Sequence, residues 1–277
     1  MTVLEVLQTT TAYFKKREIE NPRLNAEHLL AHTLGRKRIE LYLEFERELN
    51  EKELAPLREL VRRRGQGEPL QHLLGTVEFC GLAFLCDKRA LVPRPETEQL
   101  VELLKPEIQN PKSEILDVGT GSGVIALSLA KKFPEAEVVA TDVSEEALAL
   151  ARENAARLGI ARVKFVKSDL LENVGDQFDL IVANLPYIGN AERAALSREV
   201  LHDPEVALFP GEHGDELIRR LIAAVPEHLR SNAMLALEIG SNQSVPLIEF
   251  LSEKNYHDIS AKKDYAGVTR FLFARYG

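Results

Sequence analysis

Residues 114–124 read Glu-Ile-Leu-Asp-Val-Gly-Thr-Gly-Ser-Gly-Val, and this stretch decides the fold. Glu114 to Val118 has the pattern of a buried strand, and a helical pattern runs from Val124 to Lys132. The glycines between them let the backbone turn sharply and approach a ligand with no Cβ in the way. A lone Gly-x-Gly-x-Gly is a weak signal, but two acidic strand ends follow it. Asp142 closes the next strand, Val138 to Thr141, 19 residues after Gly123. Ser168-Asp169-Leu170 lies just past the third, Val163 to Val166. This spacing places carboxylates along one edge of a parallel sheet, where open α/β folds bind ligands.

From there the alternation continues to the end of the chain. A helix from Ser144 to Leu158 precedes the third strand, and a fourth strand runs from Leu180 to Ala183. A helix from Asp215 to Ala224, a strand from Met234 to Ile239, a helix around Val245 to Leu251 and two late strands, Asp258 to Ala261 and Arg270 to Ala274, complete the pattern. The order predicts an α/β fold with a doubly wound, mostly parallel seven-stranded sheet and an antiparallel edge. Upstream, residues 1–75 carry only helical patterns, with Asn25 and Asn50 as expected caps and Gly35 and Gly65 as stops. Short β-rich runs, Thr76 to Phe79 and Leu82 to Cys86, predict a hairpin around Cys80-Gly81, and a further short strand is expected over Ala90 to Val92. The expected organisation is a helical domain over 1–75, a β-hairpin connector over 76–95 and a ligand-binding domain over 96–277.

Charge narrows the partners. The net charge is −8, with 13 Lys/Arg against 12 Asp/Glu in residues 1–75 and 22 against 31 in the remainder. A protein whose main target is nucleic acid usually carries a basic face, so no direct nucleic-acid partner is expected. The short basic clusters, Lys15 to Arg17, Arg36 to Arg38 and Arg62 to Arg64, read as solvated helix faces. No apolar run approaches the ~20 residues of a membrane span. The N-terminus lacks the features of a signal or transit peptide, and two cysteines suit free thiols in a cytoplasmic protein. No Cys/His cluster has metal-ligand spacing, so no metal is expected.

The glycine loop also discriminates between cofactors. A dinucleotide fingerprint is Gly-x-Gly-x-x-Gly with pyrophosphate at the helix N-terminus. Here the third glycine comes one residue early, and Asp117 precedes the loop. A carboxylate there repels pyrophosphate and attracts a cationic ligand such as a sulfonium amino acid, which favours S-adenosylmethionine over NAD. Asp142 is then placed for ribose hydroxyls, Asp169 for an adenine amino group and Leu170 for the ring face. The fourth strand ends in Asn184-Leu185-Pro186-Tyr187. The Asn184 side-chain oxygen and the Leu185 carbonyl, held extended ahead of proline, form a pair of acceptors beside an aromatic ring. That pair suits a planar NH2 group. Accepting from both N–H bonds of such a group fixes its plane and presents it for chemistry. The seven histidines read as surface or helix residues.

With both motifs in view, the chain resembles the class I S-adenosylmethionine-dependent methyltransferases, which have a Rossmann-like sheet, and more narrowly the peptide chain release factor N5-glutamine methyltransferases. The resemblance covers nearly the whole chain. It includes Pro22-Arg23-Leu24-Asn25-Ala26-Glu27, Gly67-Glu68-Pro69-Leu70-Gln71, Glu78-Phe79 with Gly81-Leu82, and Val92-Pro93-Arg94-Pro95-Glu96-Thr97-Glu98. It implies cofactor contacts at Asp117, Gly119, Thr120, Gly121, Ser122, Gly123, Asp142, Asp169, Leu170 and Asn184. Catalytic and substrate contacts are implied at Asn184, Leu185, Pro186 and Tyr187, with Arg94 and Glu96 as further substrate contacts. The implied reaction moves a methyl group from S-adenosylmethionine, leaving S-adenosylhomocysteine, to the glutamine of the Gly-Gly-Gln loop in class 1 release factors. The helical domain is then expected to help hold the release factor.

One position departs from the pattern. The family reads Asn-Pro-Pro-Tyr, and Leu185 replaces the first proline, a form associated with ribosomal RNA adenine dimethyltransferases. Leucine keeps the carbonyl and gives up only the fixed φ. The RNA enzymes lack a helical domain of this kind, which leaves an N6-adenine methyltransferase as the alternative and a dinucleotide-dependent oxidoreductase behind it.

Overall fold

A computed structural model describes residues 1–277. Its central element is a seven-stranded sheet: β3 (Glu114–Val118), β4 (Glu137–Asp142), β5 (Lys164–Lys167), β6 (Phe178–Asn184), β7 (Leu229–Glu238), β8 (Tyr256–Lys263) and β9 (Thr269–Tyr276). The spatial order is β5-β4-β3-β6-β7-β9-β8, parallel except for β9, which runs antiparallel to β7 and β8. The chain fills one half outward from β3 and then returns to place β6 on its other side. The order therefore reverses between β3 and β6. Ligand crevices of open α/β sheets form at such a reversal, outside the carboxyl ends of the strands.

The strands are apolar on both faces because both are covered. In β6, Leu180 and Val182 pack in the layer that holds Ile115, Val138, Phe271 and Phe273. Helices α5 (Pro95–Leu104) and α6 (Val124–Lys132) cover that side through Leu100, Leu104, Ile125 and Leu129. Ile181 and Ala183 face the opposite layer with Leu116, Leu235 and Leu272, covered by α8 (Glu216–Ala224) and α9 (Ser244–Glu253) through Ile218, Leu221, Leu247 and Leu251. Helix α7 (Glu145–Leu158) is capped by Ser144, whose Oγ accepts from Ala147 N. The hairpin forms as expected from β1 (Thr76–Phe79) and β2 (Leu82–Leu85). Its turn residues Cys80 and Gly81 both have positive φ, the backbone of a type I′ turn.

Two compact units emerge: Met1–Thr76 with Ser197–His202, and Val77–Leu196 with Asp203–Gly277. The first contains α1 (Val3–Lys16), α2 (Pro22–Leu34), α3 (Glu51–Gly65) and α4 (Leu70–Leu74) around Leu7, Phe14, Leu29, Leu30 and Leu57. Asn50 caps α3 as expected, accepting from Lys52 N and Glu53 N. Asn25 does not cap α2. That helix starts at Pro22, and Asn25 is buried within it, its Oδ1 accepting from Arg64 Nε at 2.7 Å. Arg64 also donates to the Glu68 carbonyl and, through Nη2, to Glu199 at 2.6 Å. It is only 3% exposed, so the Arg62 to Arg64 triple is not wholly a solvated face. No strand forms over residues 90–92. The Val92 N–H donates instead to the Asp203 carboxylate at 3.0 Å, and a side chain replaces the missing ladder partner.

Candidate active site

The loop 119–123 leaves β3 beside the end of β6, because Val118 lies opposite Ala183 in the sheet register. Gly119, Gly121 and Gly123 all have positive φ. At Gly119 the left-handed backbone favours glycine, and a Cβ would lie 2.8 Å from Leu185 Cδ2, a side-chain end that would have to shift. The loop is pinned by the end of β4. Gly119 N and Thr120 N donate to the Thr141 carbonyl, and Gly121 N donates to Asp142 Oδ2 at 2.9 Å. Asp142 Oδ1 accepts from Ser144 N at 2.9 Å, which fixes both carboxylate oxygens at the sheet's edge. Burial raises the Asp142 carboxyl above its ordinary value.

These residues line a cavity of about 300 Å³ at the carboxyl ends of the strands. Gly119 to Ser122, Asp142, Asp169, Leu170, Asn184, Leu185 and Pro186 all reach its wall, and so does Arg94. Four expected site residues stand elsewhere. Asp117 is fully buried behind the loop, where its Oδ2 accepts from Thr120 Oγ1 at 2.6 Å and from Ala126 N at 3.1 Å. It thus caps the first turn of α6 from the neighbouring strand, and burial pushes its carboxyl up to about 7. Gly123 is turned against Ala151 and Leu127, where a Cβ would come within 3.1 Å of either. Tyr187 lies against the core beside β7, with its carbonyl accepting from Gln243 Nε2 and its hydroxyl 3.5 Å from Glu238 Oε1. Glu96 does not line the cavity.

Asn184 is held from behind the wall. Its Nδ2 donates to Thr97 Oγ1 at 3.0 Å, and the Thr97 hydroxyl donates to Glu238 Oε2 at 2.8 Å. Asn184 Oδ1 and the Leu185 carbonyl accept from no group of the chain. Two acceptors from consecutive residues therefore remain unpaired at the end of β6. Arg94 is anchored by Asp203, with Nη2 to Oδ2 at 2.6 Å, and Asp169 is shared with Arg220 at 3.0 Å. No histidine lines the cavity. Burial raises the thiols of Cys80 and Cys86 to about 11 and about 12, which leaves neither as a ready nucleophile.

Thr97, Glu238 and Arg220 were not singled out from the sequence. Glu238 carried a usable signal: a lone carboxylate ending a buried apolar strand, the same rule that marks Asp142. Thr97 sat inside the quoted Arg-Pro-Glu-Thr-Glu run but had no partner visible in the sequence. Arg220 belongs to an amphipathic helix in which nothing sets it apart.

The arrangement suits a cationic adenosine ligand better than a dinucleotide. Pyrophosphate needs free N–H groups at a helix N-terminus, and in α6 the Ala126 N–H is already taken by Asp117. The arginines of the wall are paired with carboxylates: Arg89 with Asp87 and Glu153, Arg94 with Asp203, and Arg220 with Asp169.

Comparison with known proteins agrees with this geometry. Residues 5–75 match the family profile of the PrmC N-terminal domain, and residues 95–213 match the methyltransferase small domain. A solved methyltransferase from Pyrococcus furiosus shares the fold at TM-score 0.55 and 25% identity, over 71% of this chain and 90% of that one. A release factor glutamine methyltransferase of Geobacter sulfurreducens is 41% identical over 278 residues, spanning 100% of this chain and 97% of its own length. The chain belongs to the release factor glutamine methyltransferase family. A second release factor glutamine methyltransferase, from Chlorobaculum tepidum, is 41% identical over 98% of this chain and 96% of its own length. The protein is thus a methyltransferase, and S-adenosylmethionine is its methyl donor.

Proposed function

We propose that this protein methylates the side-chain amide nitrogen of the glutamine in the Gly-Gly-Gln loop of class 1 release factors, with the acceptor pair at the end of β6 holding that amide. The observation that carries the reading is the orientation of Asn184. Its Nδ2 is committed to Thr97, so its Oδ1 is left available, with the Leu185 carbonyl of the next residue. S-adenosylmethionine supplies an electrophilic methyl group on a sulfonium when bound. Asp142 would hold its ribose, and Leu170 would lie against the adenine ring.

An amide nitrogen is a weak nucleophile because its lone pair is delocalised into the carbonyl. Two acceptors on its N–H bonds draw charge toward nitrogen and fix the plane of the group, so catalysis rests on positioning and preorganised dipoles. Proton loss follows transfer, when the methylated amide is acidic, and requires no strong base. Tyr187 is unsuited to that role, since burial and the charge of Glu238 raise its phenol above the ordinary value. It stands outside the cavity, packed against the core, so the amide plane is not walled by its ring.

The substrate's source is read from family membership and from the helical unit, which matches the PrmC N-terminal domain profile over residues 5–75. Residues 1–75 would help to hold the release factor, in keeping with a cytoplasmic enzyme of translation termination. No helix is long and apolar enough to cross a membrane. The deciding experiment is mass spectrometry of an unmethylated class 1 release factor incubated with the protein and S-adenosylmethionine. A gain of one methyl group (about 14 Da) on the Gly-Gly-Gln glutamine is the expected result. Transfer to adenine in ribosomal RNA, with none to the factor, would replace this reading with the alternative.

A further inference from the structure

We propose that Thr97 and Glu238 form a polarity relay that fixes which end of the Asn184 amide faces the substrate, making both of them positioning residues for methyl transfer. The proposal rests on the reading of Asn184 as the acceptor for the substrate amide.

An asparagine amide is nearly symmetric in shape. Rotation by half a turn exchanges its C=O for its NH2 in the same space, and sterics scarcely distinguish the two. The wrong rotamer would present two donors to a substrate group that is itself a pair of donors. Something must therefore set the direction. In this fold it is set from the far end of a hydrogen-bonded chain. An ionised carboxylate only accepts, so Glu238 Oε2 takes the single proton of the Thr97 hydroxyl at 2.8 Å. The Thr97 oxygen has then no proton left for Asn184 and accepts from it, at 3.0 Å. Asn184 must turn its NH2 inward and its Oδ1 toward the cavity.

The relay is shielded from water, with Thr97 and Glu238 only 3% and 1% exposed, so competing solvent does not blur its direction. It is also assembled from three separate elements: α5, the end of β6 and the end of β7. Protonation of Glu238 would reverse it. The carboxyl would donate to Thr97, Thr97 would donate to Asn184, and Asn184 would present its NH2 to the substrate. The groups facing Glu238 are Thr97 and Glu96 from α5, Tyr187 from the segment after β6, and Arg270 from β9. Burial and Glu96 favour the protonated form, Arg270 and the two hydroxyls oppose it, and the carboxyl is pushed up to about 7.

The test is the single-turnover rate on an unmethylated class 1 release factor at saturating S-adenosylmethionine, across pH 5.5–9. The variants are Thr97→Val, Thr97→Ser, Glu238→Gln and Asn184→Ala. Thr97→Val keeps the volume and should slow transfer by about 10–100-fold, the scale of a misplaced reacting group, with the Kd for S-adenosylmethionine unchanged. Thr97→Ser keeps the hydroxyl and should recover most of the rate. Wild type should lose activity as pH falls through about 7, and Glu238→Gln should lack that acid limb. Asn184→Ala separates the two levels of the argument. A fully active Asn184→Ala overturns the acceptor reading and the relay with it. An inactive Asn184→Ala beside a fully active Thr97→Val overturns the relay alone. Should Thr97→Val fail to fold by circular dichroism, the Glu238→Gln pH profile decides, and a profile identical to wild type overturns the relay.

Discussion

Replacing Asp142 with alanine tests the cofactor end of the site. The carboxylate has two tasks in the structure. It accepts N–H groups from Gly121 and Ser144, which ties the glycine loop to the edge of β4, and it reaches the wall of the cavity. A hydrogen bond to a charged group contributes about 1.5–3 kcal/mol, and a tenfold change in affinity corresponds to about 1.4 kcal/mol. Loss of the ribose contact alone should therefore weaken S-adenosylmethionine by about 10–150-fold, read by isothermal titration calorimetry. Disturbance of the Gly121 loop would also weaken binding, so the ribose contact must be isolated. Methylthioadenosine and its dideoxy analogue, lacking the ribose hydroxyls, complete a double-mutant cycle. Wild type should strongly prefer the hydroxylated ligand, and Asp142→Ala should bind the two almost equally. An undiminished preference in the variant would refute the ribose assignment, whatever happened to the absolute affinity.

Three further outcomes follow from the same geometry. Gly119→Ala should lower stability by about 1–2 kcal/mol, the cost of a left-handed non-glycine residue, with Leu185 Cδ2 shifting to admit the new Cβ, and thermal unfolding without ligand should show it. Leu185→Pro should retain the methylation rate, because the carbonyl is kept, while unfolding at a lower temperature for want of a buried leucine that is only 5% exposed; a folded but inactive variant would show that leucine has its own chemical purpose. Asp117 is raised to about 7 from an ordinary 3.8, so the folded state binds the proton more tightly than the unfolded chain, and this group costs stability progressively as pH rises from about 4 to 7. Asp117→Asn removes that slope, so its melting temperature should improve relative to wild type across this interval and hold a constant offset above it; a constant offset throughout would contradict the assigned ionisation.

How much of this was legible depends on how local the cause was. β3 and α6 were read to the residue because glycine punctuates both ends of the loop between them. β7 was read five residues short. Arg230, Ser231 and Asn232 break the apolar pattern, and Asn232 adopts positive φ where the pairing with β6 shifts register. The two acceptors at the end of β6 could be named from sequence, since strand, amide and proline are adjacent. What orients them could not, because Thr97 is 87 residues from Asn184 and 141 from Glu238. No periodicity spans such intervals. Asp203 was invisible for the same reason: it serves Val92 and Arg94 from more than 100 residues away.

The six residues 197–202 give the chain an unusual birth order. They belong with the helical unit at the N-terminus, yet they leave the ribosome long after it. Arg64, only 3% exposed, reaches Glu199 across 135 residues of sequence. Synthesis at about 5–20 residues per second makes that interval roughly 7–27 s. The helices are therefore complete in sequence well before their last packing partner exists, and a nascent Arg64 must wait with one side of its guanidinium unmet. The helical unit is first in the gene but not first to be finished.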